Sequence, residues 1–308
     1  MATVESFRAT APVARAVYDD ILIPTDGSEP AARAAEHGVD IAERYGATVH
    51  AVHVLGMVFS SAGADQPDVG YDAPWADIQR GAEAAASHLT DDVVARCEDR
   101  GVDVTARVLR GIHYDRLLDE IDDHGIDLVA MGTHGRRGVE RFVLGSVTEK
   151  VLRGADASVL TVGSDAPMGD DGYGTVLVGV DGREHTAPAV EQAVDVAATY
   201  GADLHAVHVV EPGLPGLPSR PDRRRELGEA ALDGAVAAAE EGGVAVERSM
   251  REGHPHEELA AAADDVGADL AVVGSGRAGL SRMLLGDVTQ KVVRTVDAPV
   301  LTAKRSDD

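Results

Sequence analysis

A glycine-rich segment that ends in a serine is the part of this sequence best suited to bind an anion. Its glycines are spaced as Gly132-x2-Gly135-x9-Gly145, and Ser146 follows directly. Glycine tolerates positive φ and lets the backbone approach a ligand closely, as a loop around a triphosphate requires. Ser146 begins a predicted helix, whose free N–H groups and positive dipole end point toward the loop. The segment therefore predicts a phosphate-binding loop.

The charge around this loop is opposite in sign to that of the whole chain. The protein carries a formal net charge of −25. Between residues 132 and 150, four basic side chains stand against two acidic ones: Arg136, Arg137, Arg141 and Lys150 against Glu140 and Glu149. A local positive excess favours a negative ligand. A structural alternative stays open, because Ser146-x-x-Glu149 also has the spacing of a capping box, which would explain the serine by helix stability alone.

An internal repeat identifies the elements that must position the loop. Residues 41–54 read IAERYGATVHAVHV and residues 196–209 read VAATYGADLHAVHV, an offset of 155. Residues 144–162 match residues 285–303 at an offset of 141. Most of the change in offset comes from a longer loop near 56–78 in the first copy. Identity and order both persist, so the chain is two copies of one domain.

Within each copy, short β-branched runs alternate with helical segments, which is typical of βαβ units. We predict an α/β protein of two tandem Rossmann-like domains, each a five-stranded parallel sheet with helices on both faces. The predicted strands of the first copy are 21–24, 48–55, 103–109, 127–131 and 158–162, and its helices lie near 30–45, 75–100, 113–124 and 146–153. The predicted boundaries are an extension at 1–17, domains at 18–163 and 174–304, and a Gly/Asp/Pro-rich linker at 164–173.

The amino-acid composition limits the possible binding partners and indicates the environment in which the protein works. The pI near 4.7 argues against duplex nucleic acid and anionic membranes as partners. The acidic, Lys-poor composition suggests an extreme halophile, because concentrated salt screens the self-repulsion of such a surface. Cys97 is the one cysteine, so no internal disulfide or multi-Cys metal site is expected. The sequence shows no signal-peptide core and no apolar run long enough to span a bilayer, so we expect a soluble cytoplasmic protein.

The loop spacing after a fourth strand, found within a tandem repeat, resembles the universal stress proteins of the UspA type. Their signature is G-x2-G-x9-G-[ST], and the resemblance covers both halves apart from the N-terminal extension and the linker. It implies a fold of the adenine nucleotide alpha hydrolase kind and, in the first half, an ATP site. The implied contacts are Pro24, Thr25 and Asp26 beside the adenosine, the Val54 backbone at the adenine, Met131, Gly132, His134 and Gly135 around the ribose and phosphates, and Gly145, Ser146, Val147 and Thr148 on phosphate oxygens.

The second half departs from this signature. One residue is missing, which leaves Gly274-x-Gly276-x9-Gly286, and Asp287 stands where the signature has Ser or Thr. A carboxylate caps a helix well, but beside a triphosphate it adds like charge. Arg183 also replaces Ser28. We therefore expect a degenerate second site with weak or absent ATP binding, whose residues are Asp181, Val209, Gly274, Gly276, Gly286 and Asp287.

The resemblance implies a regulatory ATP-binding protein that is not an enzyme, with Mg²⁺ or Mn²⁺ on the nucleotide in the first half. Asp26 is a candidate to coordinate nucleotide-bound Mg²⁺ or to bind ribose, or it starts a turn; no metal site made by protein alone is expected. Two alternatives remain: an interaction module that binds no nucleotide, and a slow ATPase, although the sequence offers no P-loop lysine motif and no identifiable base. The two halves are expected to pair as a pseudo-dimer through strands 157–162 and 298–303. A further homodimer of the whole chain is left open.

Overall fold

Strands and helices alternate along the chain as the repeat predicts. The computed structural model describes residues 17–56, 72–134, 144–166, 168–169, 171–212, 221–276 and 286–304. The strands are β1 Asp20–Pro24, β2 Thr48–Gly56, β3 Val104–Gly111, β4 Leu128–Gly132, β5 Ser158–Val162, β6 Thr175–Gly179, β7 Asp203–Val210, β8 Val246–Glu252, β9 Leu270–Gly274 and β10 Val300–Ala303. The helices are α1 Glu29–Tyr45, α2 Asp72–Arg100, α3 His113–His124, α4 Ser146–Gly154, α5 Ala187–Tyr200, α6 Pro221–Glu241, α7 Pro255–Val266 and α8 Asp287–Thr295.

All of these strands belong to a single ten-stranded sheet. Its order is β3-β2-β1-β4-β5-β10-β9-β6-β7-β8, so each half contributes five parallel strands in the order 3-2-1-4-5. The predicted α/β class and the tandem arrangement are confirmed. In each half the connection direction reverses between the first and fourth strands, and in open α/β sheets ligands bind at the carboxyl ends beside such a switch point.

The core is built from small and branched aliphatic side chains, as the scarcity of aromatic residues requires. Two clusters cover the two faces of the sheet, one around Ile21, Ile23 and Leu204, the other around Leu22 and Leu177. Adjacent strand residues therefore face opposite helix layers, which is why the strands read as continuous apolar runs. Because both faces of the sheet are packed against helices, the strand ends from which the loops start are held in place.

The two halves meet along the antiparallel pair β5 and β10. Val300, Leu301 and Thr302 lie opposite Thr161, Leu160 and Val159. Because the repeat equates Leu160 with Leu301, this pair lies on a pseudo-twofold axis that relates the halves. The halves thus pair through the strands that the sequence predicts.

Four tyrosines extend this pairing from the sheet into the helices, in two pseudo-symmetric sets. In one set Tyr18 and Tyr45 donate hydrogen bonds to Gln192 and Asp195 of the second half, at 3.0 and 2.5 Å. In the other, Tyr200 donates to Asp40 at 2.8 Å, and the Tyr173 hydroxyl lies 2.9 Å from Nδ1 of His37. The repeat equates the four members of one set with the four of the other. We call these eight residues the tyrosine seam.

Candidate functional site

The turn after β1 is organised by short hydrogen bonds to its own backbone. The Asp26 carboxylate accepts from the Ser28 amide at 2.9 Å, and the Thr25 hydroxyl accepts from the Gly27 amide at 3.2 Å. Gly27 has φ of 73°, a left-handed conformation that glycine adopts without strain. The Ser28 hydroxyl then caps α1 by accepting from the Ala31 amide at 3.4 Å. Asp26 thus starts a turn, which is one of the alternatives that the sequence offers, and it lies just after the carboxyl end of β1.

A histidine of the neighbouring strand fixes this turn from the side. Nδ1 of His53 donates to the Thr25 carbonyl at 2.7 Å, and the Thr25 amide donates to the Val52 carbonyl at 2.9 Å. The second half repeats the device, since Nδ1 of His208 donates to the Val180 carbonyl at 2.8 Å. The recurrence of HAVHV in both copies indicates packing of these histidines at the strand ends, and His53 and His208 lie there.

Gly132 ends β4 beside the start of α1. A Cβ at this position would lie 2.8 Å from the backbone carbon of Pro30 and 2.9 Å from the Ala31 nitrogen. The first glycine of the loop is therefore required by the packing of α1 on β4. The side chains of Met131 and Val54 are buried in the core, so only their backbone groups face the strand ends.

Helix α4 begins without any side-chain cap. Its N-cap is Gly145, whose amide donates to the Thr133 carbonyl at 2.7 Å, and Ser146 is the first helical residue. The capping-box interpretation of Ser146 and Glu149 is therefore wrong, because the serine lies one position too far along the chain. The amides of Ser146, Val147 and Thr148 have no carbonyl four residues earlier within the helix, so they are available to an anion.

The remaining predicted contacts fall into two groups. The buried Thr148 hydroxyl donates to the Gly132 carbonyl at 2.9 Å, so this side chain ties the helix to the strand end. His134 lies beside the loop stem, where its Nδ1 is 3.1 Å from the Thr133 hydroxyl. Pro24 is the last residue of β1. Gly135 and the basic residues of the loop lie outside the described residues, whereas Lys150 places its ammonium 3.7 Å from the centroid of the Tyr114 ring.

The turn after β6 in the second half surrounds its aspartate with hydrogen-bond donors and basic groups. Asp181 accepts from the Arg183 amide at 2.9 Å and from the Thr186 hydroxyl at 3.2 Å. Its other oxygen lies 3.3 Å from Nε2 of His185 and 3.7 Å from Nε of Arg183. Arginine cannot cap a helix as Ser28 does, so a 3-10 turn at Glu184–Thr186 precedes α5. Asp181 is therefore already surrounded by donors of its own turn.

The described ends of the second glycine loop make the same contacts as those of the first. A Cβ on Gly274 would lie 2.4 Å from the His185 carbonyl oxygen, and the Thr289 hydroxyl donates to the Gly274 carbonyl at 2.8 Å. Gly276 has φ of 65°. Gly286 is the N-cap of α8 without a side-chain cap, and Asp287 is the exposed first residue of the helix. The expectation that the Asp287 carboxylate caps this helix is therefore wrong, for the same one-residue reason as at Ser146.

A cavity of about 1300 Å³ opens at the switch point of the second half. Its walls include the turn at Asp181, the β7 end with Val209, and the loop glycines, and Asp287 lies at its edge. All six residues of the predicted second site, Asp181, Val209, Gly274, Gly276, Gly286 and Asp287, line it. The space for a ligand thus persists in the half whose phosphate-binding signature is altered.

Within the part of the chain that the structure describes, no three His, Cys, Asp or Glu side chains lie close enough together to hold a metal ion. None of the described helices combines the length and apolar character needed to cross a bilayer. The arrangement can bind an anion through helix amides.

The fold and the site together define a class: a tandem protein of two Rossmann-like halves, each with a glycine turn and an uncapped helix N-terminus at its switch point. The sequence profile of the universal stress protein family matches residues 18–163 and 172–304. The chain therefore belongs to the universal stress protein family.

Similar proteins share the tandem arrangement. A universal stress protein of Mycobacterium tuberculosis is 31% identical over 299 residues, which cover 93% of this chain and 97% of that protein. One from Mycolicibacterium smegmatis is 29% identical over 291 residues, or 92% and 96% of the two chains. The crystal structure of a universal stress protein from Archaeoglobus fulgidus superimposes with a TM-score of 0.69 at 22% identity and covers 95% of this chain and 99% of that one. This last likeness concerns the fold.

Proposed function

We propose that this universal stress protein is a regulatory ATP-binding protein, with the nucleotide and Mg²⁺ or Mn²⁺ in its first half. The single observation that carries the proposal is the start of α4. Three helix amides without intrahelical partners follow Gly145 directly, with the exposed Ser146 as the first of them. Such a terminus binds phosphate through aligned N–H groups and the positive end of the helix dipole.

The other predicted contacts support the same placement. The carboxyl ends of β1 and β4 are adjacent in the sheet, so the turn at Thr25–Asp26 and the loop stem at Gly132 lie on one edge. Val54 ends the buried part of β2 on that edge. In this placement the adenosine would contact the carboxyl ends of β1 and β2, and the phosphates would contact the N-terminus of α4. In this proposal Asp26 binds ribose or the nucleotide-bound cation.

We propose binding without efficient turnover. Hydrolysis needs a group that orients or activates the attacking water. His53 is committed to the Thr25 carbonyl, and Asp26 accepts from the Ser28 amide. Bound nucleotide would then act by setting the conformation of the loops or a surface for a partner, in a cytoplasm of high salt.

The test is nucleotide extraction from purified protein followed by calorimetric titration with ATP and Mg²⁺ in concentrated salt. We expect one ATP per chain. The Ser146→Ala variant removes a hydrogen bond to a charged ligand, worth about 1.5–3 kcal/mol, so affinity should fall about tenfold to a hundredfold. Gly135→Val, chosen from the signature, should abolish binding. Ser249→Ala, at an exposed position of β8, is the matched control and should bind as the wild type does.

A wild-type protein that carries no nucleotide and binds no ATP at millimolar concentration would contradict this proposal and favour the interaction module. Rapid phosphate release under the same conditions would instead favour the ATPase.

A further inference from the structure

The tyrosine seam contains four of the six tyrosines of the chain, and their hydroxyl groups bond to side chains of different chemistry. The ring centroids of Tyr18 and Tyr45 lie 5.1 Å apart, and those of Tyr173 and Tyr200 lie 4.9 Å apart. Phenols are among the protein side chains that lose one electron most readily, and an oxidised phenol then releases its O–H proton. The group that receives this proton therefore decides which tyrosine is oxidised most easily.

The Tyr200 hydroxyl has a partner whose negative charge is already engaged. Asp40 accepts from this hydroxyl at 2.8 Å. Its two oxygens also lie 3.3 Å from Nε of Arg44 and 2.9 Å from a terminal guanidinium nitrogen of Arg100. A proton moved to Asp40 would remove the negative charge that both arginines contact, and breaking one side of such an ion pair is costly. The surroundings therefore oppose the oxidation of Tyr200.

Tyr45 is the pseudo-symmetric counterpart in the other set, and its partner lacks the two arginines. Its hydroxyl donates to Asp195 at 2.5 Å. The repeat places Thr199 and Gly242 at the positions of those arginines, and no basic side chain pairs with Asp195 among the described residues. Burial raises the pKa of Asp195, although the bond from Tyr45 opposes the shift. Transfer of the proton to Asp195 would neutralise a charge that burial disfavours.

The other two tyrosines have partners that are less suited to receive a proton. Tyr18 donates to Oε1 of Gln192, and an amide does not act as a base near neutral pH. The Tyr173 hydroxyl lies 2.9 Å from Nδ1 of His37. A proton on this ring would create a buried cation, and burial lowers the pKa of His37. Among the four partners, Asp195 alone becomes neutral on protonation without leaving an ion pair broken.

We propose that Tyr45 and Asp195 form a redox-active pair that reduces one-electron oxidants such as oxygen- or nitrogen-centred radicals. The oxidant takes one electron from the Tyr45 ring, and the hydroxyl proton moves to Asp195. The products are the reduced oxidant, a neutral phenoxyl radical and a neutral carboxylic acid. A one-electron reductant, such as a thiolate, then returns the electron, and Asp195 returns the proton. This activity belongs to the contact between the halves and does not depend on nucleotide binding.

The test is photo-oxidation of the full-length protein by a ruthenium tris-bipyridyl complex with persulfate, followed by freeze-quenching and electron paramagnetic resonance. We expect a slowly decaying tyrosyl radical that falls about fivefold or more in Tyr45→Phe, because this variant removes the phenol beside the proton acceptor. Tyr200→Phe, the pseudo-symmetric control, removes the equivalent hydrogen bond and should keep the signal within about twofold. Asp195→Asn retains an acceptor oxygen but not a base, so radical formation should slow about tenfold or more.

Thermal unfolding of each variant separates loss of the radical from loss of structure. Asp195→Glu keeps a carboxylate and should form the radical faster than Asp195→Asn does, even where both variants are less stable than wild type. The proposal is overturned if wild type gives no slowly decaying tyrosyl radical, or if Tyr45→Phe and Tyr200→Phe lower it equally. Equal rates of radical formation in wild type and Asp195→Asn, or in Asp195→Asn and Asp195→Glu, would also overturn it.

Discussion

In the first half α1 is capped by Ser28 and α4 begins with Ser146; in the second, Arg183 and Asp287 occupy those positions. The strands around them, and the glycines at both ends of the loop, are kept in both halves. Gly132 and Gly274 both end a strand against the start of a helix, and Thr148 and Thr289 both tie a helix back to that strand. The fold thus retains what packing needs, while the groups that would meet a ligand differ.

The largest expected effect is a loss of stability on substitution of the strand-end glycine that both halves share. Gly274→Ala places a Cβ 2.4 Å from a backbone oxygen, and Gly132→Ala places one 2.8 Å from backbone carbon. Both should destabilise the protein by about 1–3 kcal/mol or more, with Gly274→Ala the more severe. Urea unfolding at fixed salt measures this. Gly163→Ala, with open space at its Cβ, is the control. Wild-type stability in Gly274→Ala would show that the loop glycine serves a ligand instead.

The next effect concerns ATP binding in the second half, where Asp287 stands in place of Ser146. Asp287→Ser removes like charge next to a phosphate, worth about 1–4 kcal/mol at a surface-like dielectric. We expect a second ATP to bind in the 1300 Å³ cavity, seen as a rise in calorimetric stoichiometry. Asp264→Ser, an exposed change on α7, controls for net charge. If stoichiometry does not rise, the missing residue near Gly276 is the obstacle, and the charge argument is insufficient.

A third effect lies at the tyrosine seam, where His37 corresponds to Gln192. Burial lowers the pKa of His37, although the Ala166 carbonyl and nearby carboxylates oppose the shift. The unfolded chain therefore binds the proton first, and stability falls as pH drops below about 6.5 toward the folded-state pKa. Protonation places a charge on this buried ring, and the Tyr173 hydroxyl would then have to accept from Nδ1.

His37→Gln would make the two sides of the seam alike. The stability difference between this variant and the wild type, measured by urea unfolding from pH 7.5 to 5, should change over that interval. Parallel stability curves for the two proteins would show that His37 does not titrate in this range.

The smallest expected effect is at the axis. Gln290→Glu places two carboxylates where Gln290 now donates to Glu149, at a cost of about 0.5–1 kcal/mol. The exchanged pair, Glu149→Gln with Gln290→Glu, should recover most of that loss in a double-mutant cycle. Additive effects of the two single changes would mean that this contact does not couple the halves.

Much of this architecture could be predicted from sequence, because a repeat makes each half a test of the other. The strand runs, the glycine spacing and the pairing of the last strands each follow from local patterns. The caps at Ser146 and Asp287 were misplaced by one residue, since motif spacing does not say which residue leaves helical geometry first. The positioning role of His53 depends on which strand lies alongside, and that is determined only by tertiary packing.

The antiparallel junction of β5 and β10 also affects how the protein responds to dilution. A single-domain subunit that pairs along such a strand finds its partner by diffusion, and the pair separates at low concentration. Here both partners lie on one chain, so the local concentration of one half around the other is on the order of millimolar or higher. The first half therefore stays paired with the second half at any concentration of the protein.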